Sequence, residues 1–158
     1  MRADLRDGPG VWFPPPFVYA ACAALAWWLD RRWPLRPPES LHGALDTLGA
    51  LLVATGLALD LSSLALFWLE RTSALPFRPA TSFVARGAYR FTRNPMYLGL
   101  TLLVAGLGLL VERLGLVVAG VAAAIVIDRF VVPREERHLE ARFGATYVDY
   151  RRRVRRWL

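Results

Sequence analysis

Two short segments of this 158-residue chain hold residue types that can bind and orient a small charged ligand. The first runs from Arg86 through Tyr89, Arg93, Asn94, Pro95, Met96 and Tyr97 to Gly99, joining cationic side chains and two phenols where polar sequence turns apolar. Pro95 suits the first position of a helix, and the open N–H groups of a first helical turn can meet an anion such as a carboxylate. Asn94, the one asparagine in a chain without glutamine, reads both as an N-cap for that helix and as a ligand contact, roles that can coexist. The second segment places Glu135 and Glu136 just after Pro133, which alone reads as an acidic first turn complementing a helix dipole. His138 beside them reads as a solvated side chain. With His42 far away in sequence and Cys22 the single cysteine, metal-ligand spacing is missing, and there is no Ser-His-Asp set or phosphate loop.

The elements that must position these residues follow from the distribution of charge. The chain is 55% hydrophobic and 21% charged, and long uncharged runs alternate with short arginine-bearing stretches, as spans alternate with loops. The expected fold is all-α: one integral membrane bundle over 1–158, with about four transmembrane helices and C-terminal amphipathic helices. Spans are expected at 13–30, 41–69, 95–111 and 114–132. The first is short against the roughly 20 residues a crossing needs, and Trp27, Trp28 and Trp33 suit an interfacial belt. Trp27 and Trp28 also stand where signal cleavage would need small residues, so the segment reads as retained. Asp60 lies deep in the second span, where a carboxylate must face protein or water.

Residues 70–94 read as a loop broken by Pro76 and Pro79, and residues 133–158 as a polar tail. In the tail, Leu139, Phe143, Tyr147, Tyr150, Val154 and Trp157 recur every three or four residues, with Gly144 interrupting them. This predicts two short amphipathic helices lying on the membrane surface. Only Glu112 and Arg113 separate the third and fourth apolar runs, so these form an antiparallel hairpin. Gly99, Gly106, Gly108, Gly115 and Gly120 are expected to bring its helices close. The hairpin returns the chain to the membrane face it left at Arg93, which sets Glu135 and Glu136 opposite Tyr89, Arg93 and Tyr97. Such a mixture of charges and aromatic rings suits S-adenosylmethionine, with its ammonium, carboxylate, ribose hydroxyls, adenine and sulfonium.

Gly87-Ala88-Tyr89, Arg93 to Gly99, and Glu135-Glu136 followed by Phe143-Gly144, Tyr147 and Tyr150 resemble the bipartite C-terminal signature of the isoprenylcysteine carboxyl methyltransferases and related phospholipid methyltransferases. The resemblance runs from about Pro79 to the C-terminus. It implies a membrane-embedded methyltransferase using S-adenosylmethionine on a lipophilic or amphiphilic acceptor, with a carboxylate among the candidates. It further implies cofactor contacts at Tyr89, Asn94, Pro95, Met96, Tyr97 and Glu135, with Thr81, Ser82, Phe83 and Val84 adding more loosely assigned ones. Arg93 and Glu136 are the catalytic candidates, Arg93 orienting an anionic group. Relatives commonly carry His at the position of Asn94. The eukaryotic enzymes place an arginine where this chain has Val131, leaving Arg129 or Arg134 as substitutes.

The net charge of +7 comes entirely from arginine on the basic side and fits cytoplasmic anchors facing anionic lipid better than a nucleic-acid footprint. The positive-inside rule puts the loop 70–94 and the tail in the cytoplasm of a bacterial inner membrane; Arg31, Arg32 and Arg36 count against it on the other face. Two rival functions are an NADPH-dependent reductase of the sterol-reductase type and a non-catalytic membrane adaptor. Met96 and Leu100 depart from the reductase pattern.

Overall fold

The computed structural model describes residues 13–70 and 83–158, and every regular element among them is helical. Helix α1 covers Pro15–Asp30, α2 His42–Leu69, α3 Pro95–Leu110, α4 Leu114–Val126, α5 Val132–Phe143 and α6 Ala145–Arg153. Single tighter turns precede α2 at Glu39–Leu41 and α3 at Gly87–Arg90. Pro15 and Pro95 open α1 and α3, where a fixed φ helps and the missing N–H costs nothing.

The outside of this bundle is apolar. Phe17, Leu25, Leu51, Leu61, Val118 and Ile125 are each more than half exposed, whereas the central cluster is only Tyr19, Ala123, Ile127, Val131 and Val132. Water would penalise such a surface and hydrocarbon does not, so this is a helical membrane protein. The helical stretches Glu39–Leu69 and Leu114–Phe143, of 31 and 30 residues, are long and apolar enough to cross a bilayer. Helices α1 and α3 have 16 residues each and pack beside them.

Helices α2 and α3 run antiparallel and meet through paired glycines. A Cβ on Gly49 would lie 2.9 Å from the Gly106 carbonyl oxygen and one on Gly106 2.7 Å from that of Gly49; Gly56 and Gly99 repeat the arrangement at 2.7 and 2.9 Å. Gly99 and Gly106, expected to serve the hairpin, therefore serve its contact with α2. Gly108 and Gly120 do pack within the hairpin, and a Cβ on Gly115 would meet none of the described residues. The hairpin turn is closed by Arg113 N–H bonding the Gly108 carbonyl at 2.8 Å and Glu112 N–H bonding that of Leu109 at 3.0 Å, with Glu112 at φ 54°. This is a Schellman closure with glutamate in the left-handed position that usually favours glycine.

One boundary differs from expectation. Pro133 sits in the first turn of α5, but no break precedes it: a π turn at Ile127–Val131 joins α4 to α5 in one rod. Proline lacks an N–H and its ring collides with the carbonyl four residues back, so an ordinary turn there would kink. The wider turn absorbs the misfit, with Val132 N–H reaching back to the Ile127 carbonyl. Arg134 donates to the Phe130 carbonyl, and Arg137 to that of Pro133 at 3.1 Å.

At the end of the bundle away from Pro95, Asp30 is held by Arg36 through bonds of 2.5 and 2.8 Å and by Arg113 at 2.7 Å. The Arg113 guanidinium also lies 3.7 Å from the centre of the Trp27 ring. Leu114 N–H bonds the Leu35 carbonyl at 3.0 Å, so the α1–α2 loop and the hairpin turn are fastened together.

Candidate functional site

The opposite end collects the charged segments. Because α3 and the rod of α4 and α5 are antiparallel, the start of α3 faces the start of α5, and the Tyr97 hydroxyl donates to Glu135 Oε1 at 2.5 Å. A short bond to a carboxylate is the strong, charge-assisted kind. Consecutive helical residues point about 100° apart, so Glu136 faces elsewhere. It lies 3.0 Å from Arg93 Nη1 and takes Arg156 on both oxygens, at 3.1 and 2.7 Å. Arg93 is almost buried; its Nη1 also approaches the Tyr147 hydroxyl at 3.4 Å, and its Nε is buried with no partner among the described residues. Among the described residues Glu135 has no cationic partner.

The last residues of the chain brace this junction. The Arg155 carbonyl accepts from Arg93 N–H at 3.0 Å, and the Arg156 carbonyl accepts from Asn94 Nδ2 at 3.0 Å and from the Thr92 hydroxyl at 3.1 Å. Asn94 thus occupies the N-cap position of α3 without a side-chain cap bond, contrary to the capping reading. Its amide is drawn to the C-terminal segment, while its own N–H is satisfied by Thr92 Oγ1 at 3.2 Å. Asp128, in the π turn, accepts from Trp157 Nε1 at 2.9 Å and from Arg156 at 3.3 Å. Proximity to Glu136 holds the Arg156 guanidinium above the usual arginine range.

An aromatic group adjoins the ion pairs. Phe83 packs against Phe143, Tyr147 and Tyr150 with ring centres 5.5, 6.0 and 5.1 Å apart. Tyr150 donates to the Tyr89 carbonyl at 2.7 Å, and the Tyr89 ring stands edge-on to Phe67 of α2 at 5.6 Å. Burial pushes the Tyr89, Tyr147 and Tyr150 hydroxyls up from their ordinary range, with the Glu135 charge adding to the effect on Tyr89 and that of Glu136 to the effect on Tyr147. All three remain phenols at neutral pH. Gly144, at φ 52°, lets α6 fold back so that Tyr147 and Tyr150 turn inward. The stripe expected to lie on the membrane surface is therefore largely directed into protein, because Phe83 and the Arg93 junction give it an inner partner.

Of the residues singled out from sequence, Arg93, Tyr97, Glu135 and Glu136 come together, with Tyr89 within electrostatic reach of Glu135. Asn94 and the fully buried Pro95 form the backbone of the junction, and Met96 is part-buried at the start of α3. Phe83 joins the aromatic group and Val84 is buried; Thr81 and Ser82 lie outside the described residues. His138, expected to be solvated, has a buried Nε2 with no partner among the described residues. Thr92, Asp128, Arg156 and Trp157 were missed. Arg156 hides in a run of arginines, but Asp128, an acid within an apolar run, was a readable signal.

Comparison with known proteins covers this same hairpin. The profile of the phospholipid methyltransferase family matches residues 45–146. An uncharacterized protein of Haemophilus influenzae is 39% identical over 63 residues, which is 40% of this chain and all of that protein. The protein-S-isoprenylcysteine O-methyltransferase B of Arabidopsis thaliana is 34% identical over 74 residues, 45% of this chain and 36% of that enzyme. No solved structure matches. With the matched region running from α2 across the hairpin to α6 and including Arg93, Tyr97, Glu135 and Glu136, the chain belongs to the phospholipid methyltransferase family, whose wider kin include the isoprenylcysteine methyltransferases.

Proposed function

We propose that this membrane methyltransferase takes S-adenosylmethionine as its methyl donor and a lipophilic or amphiphilic molecule as its acceptor. The observation that carries the reading is the 2.5 Å bond between Tyr97 and Glu135 beside the nearly buried Arg93. The family's description as phospholipid methyltransferases, and the isoprenylcysteine named for the Arabidopsis relative, both favour a lipid-like acceptor.

The side chains suit the cofactor's groups. Glu135 offers acceptors for an ammonium or ribose hydroxyls, the unpartnered Nε–H of Arg93 a donor for a carboxylate, and Tyr89 and Tyr97 further polar contacts. Phe83, Tyr147 and Tyr150 supply ring faces. When bound, S-adenosylmethionine supplies an electrophilic methyl carbon attached to a sulfonium. The chain's part is to hold its ligands in line and exclude water, which accounts for most of the acceleration of a methyl transfer. In this reading Arg93 orients an anionic group and Glu136, with both oxygens on arginines, keeps Arg93 in place.

The site end faces the cytoplasm of a bacterial inner membrane, by the positive-inside rule. Arg36, which counted against this from sequence, shares Asp30 with Arg113, so the opposite end carries less unpaired positive charge.

The test is calorimetric titration of the detergent-purified protein with S-adenosylhomocysteine, and with NADPH in parallel. Saturable binding of S-adenosylhomocysteine alone supports the proposal. Binding of NADPH alone points to a reductase, and binding of neither overturns the cofactor site.

A further inference from the structure

On the face of α2 turned toward α3, Gly56, Asp60, Ser63 and Phe67 succeed one another at three- and four-residue steps. Gly56 meets Gly99, and Phe67 packs on Tyr89. Asp60 and Ser63 therefore lie between the closest helix contact and the Tyr89–Glu135 region. Among the described residues Asp60 Oδ1 is buried without a hydrogen-bond partner, and the fully buried Ser63 stands beside the Tyr89 hydroxyl without a well-formed hydrogen bond of its own. Among the described residues Asp60 forms no ion pair. Its oxygen lies against Gly99, where any Cβ would collide with it, so α3 has made room for the carboxyl without bonding it.

Such atoms are costly in a membrane interior and mark a ligand pathway more often than a structural need. The residue itself is only half-buried, and its neighbours Leu57, Leu61 and Leu64 are exposed on the lipid side of α2. An amphiphile moving in from the bilayer can bring its head to Asp60 without passing through water.

We propose that Asp60 and Ser63 form the acceptor-selecting step of the site, receiving an acceptor head that is cationic or donates hydrogen bonds. A carboxylate head there would meet like charge and, among the described residues, no cation beside the Ser63 and Tyr89 hydroxyls, so this step disfavours the carboxylate acceptor considered from sequence. The inference rests on the methyltransferase reading for the word acceptor, while the binding it describes is tested independently.

The experiment uses the full chain in nanodiscs and equilibrium binding of radiolabelled hexadecylamine, with hexadecanoate as the counter-probe and empty discs subtracted. Wild type is expected to bind the amine saturably and at least tenfold more tightly than the acid. Asp60→Asn should remove that preference and Ser63→Ala should weaken the amine several-fold, both keeping the thermal midpoint and S-adenosylhomocysteine affinity of wild type. Unchanged amine binding in Asp60→Asn, or tighter binding of the acid by wild type, overturns the inference. Loss of S-adenosylhomocysteine binding in wild type would instead overturn the cofactor assignment, leaving the amine result to be judged by itself. Should Asp60→Asn misfold, Asp60→Glu serves: it keeps the charge and must keep the preference for amine.

Discussion

Each end of the bundle has a carboxylate shared by two arginines, and the two ends treat the surplus polarity differently. At the end where α1 finishes, Asp30 binds Arg36 and Arg113, and its side chain is 4% exposed. At the other end Glu136 binds Arg93 and Arg156 in the same manner, but among the described residues Glu135 stands beside it with only a phenol, and Arg93 keeps an unpartnered Nε. A closed set of charges fastens loops. A set with acceptors and donors left over is held in readiness for something else, since buried polar atoms without partners are destabilising unless a ligand completes them.

Substitutions can break this contrast, beginning with the one that should do most. Glu136→Ala takes the carboxylate from the nearly buried Arg93 and leaves Arg156 with Asp128 alone, and should cost about 2–3 kcal/mol of stability and also displace Arg93. Thermal unfolding and S-adenosylhomocysteine titration should both register it; a loss in only one would mean that Glu136 serves only fastening or only binding. Glu135→Ala and Tyr97→Ala should separate the two properties, weakening S-adenosylhomocysteine at least tenfold, about 1.4 kcal/mol, in a protein that still folds and inserts. Full binding by both variants would sink the proposed contact. Asp30→Asn should do the reverse: a lower thermal midpoint with unchanged ligand affinity. The fall should be smaller than for Glu136→Ala, because Arg36 is 42% and Arg113 25% exposed and both can turn to water. Smallest is Gly144→Ala, whose backbone sits at φ 52° in open space. It should cost about 1 kcal/mol by denaturant unfolding and loosen α6 from Phe83.

The features legible in the sequence are those that depend on neighbours along the chain. Glu112 and Arg113 force the hairpin, Pro95 marks the start of α3, and Gly144 the corner before α6; together these imply that Tyr97 and Glu135 meet. Contacts made by the chain end are not legible, because Arg155 and Arg156 bind through carbonyls that every residue carries and through a guanidinium indistinguishable from its neighbours. Asn94 departs from its expected capping role for the same reason: its partner is a backbone oxygen 62 positions away. The partnerships of Gly99 and Gly106 with α2 depend on which helices pack, which the hairpin alone does not decide.

The π turn at Ile127–Val131 has a consequence for inheritance as well as for packing. Such a turn is in effect a helix carrying one extra residue, and each residue rotates the remainder of the helix by about 100°. It therefore acts as a phase setting for α5, choosing which of two adjacent glutamates looks at Tyr97 and which at Arg93. Drawing the same residues into an ordinary α turn would leave the composition of the site untouched while turning Glu135 away from Tyr97 and bringing Arg134 toward its place, whereas removing one residue between 127 and 131 would let the turn close as α and keep Glu135 where it is. A lineage that lost that residue together with the wider turn would keep each glutamate at its duty although its distance along the chain from α4 had changed by one, so that spacing alone would not identify the atom that performs the work.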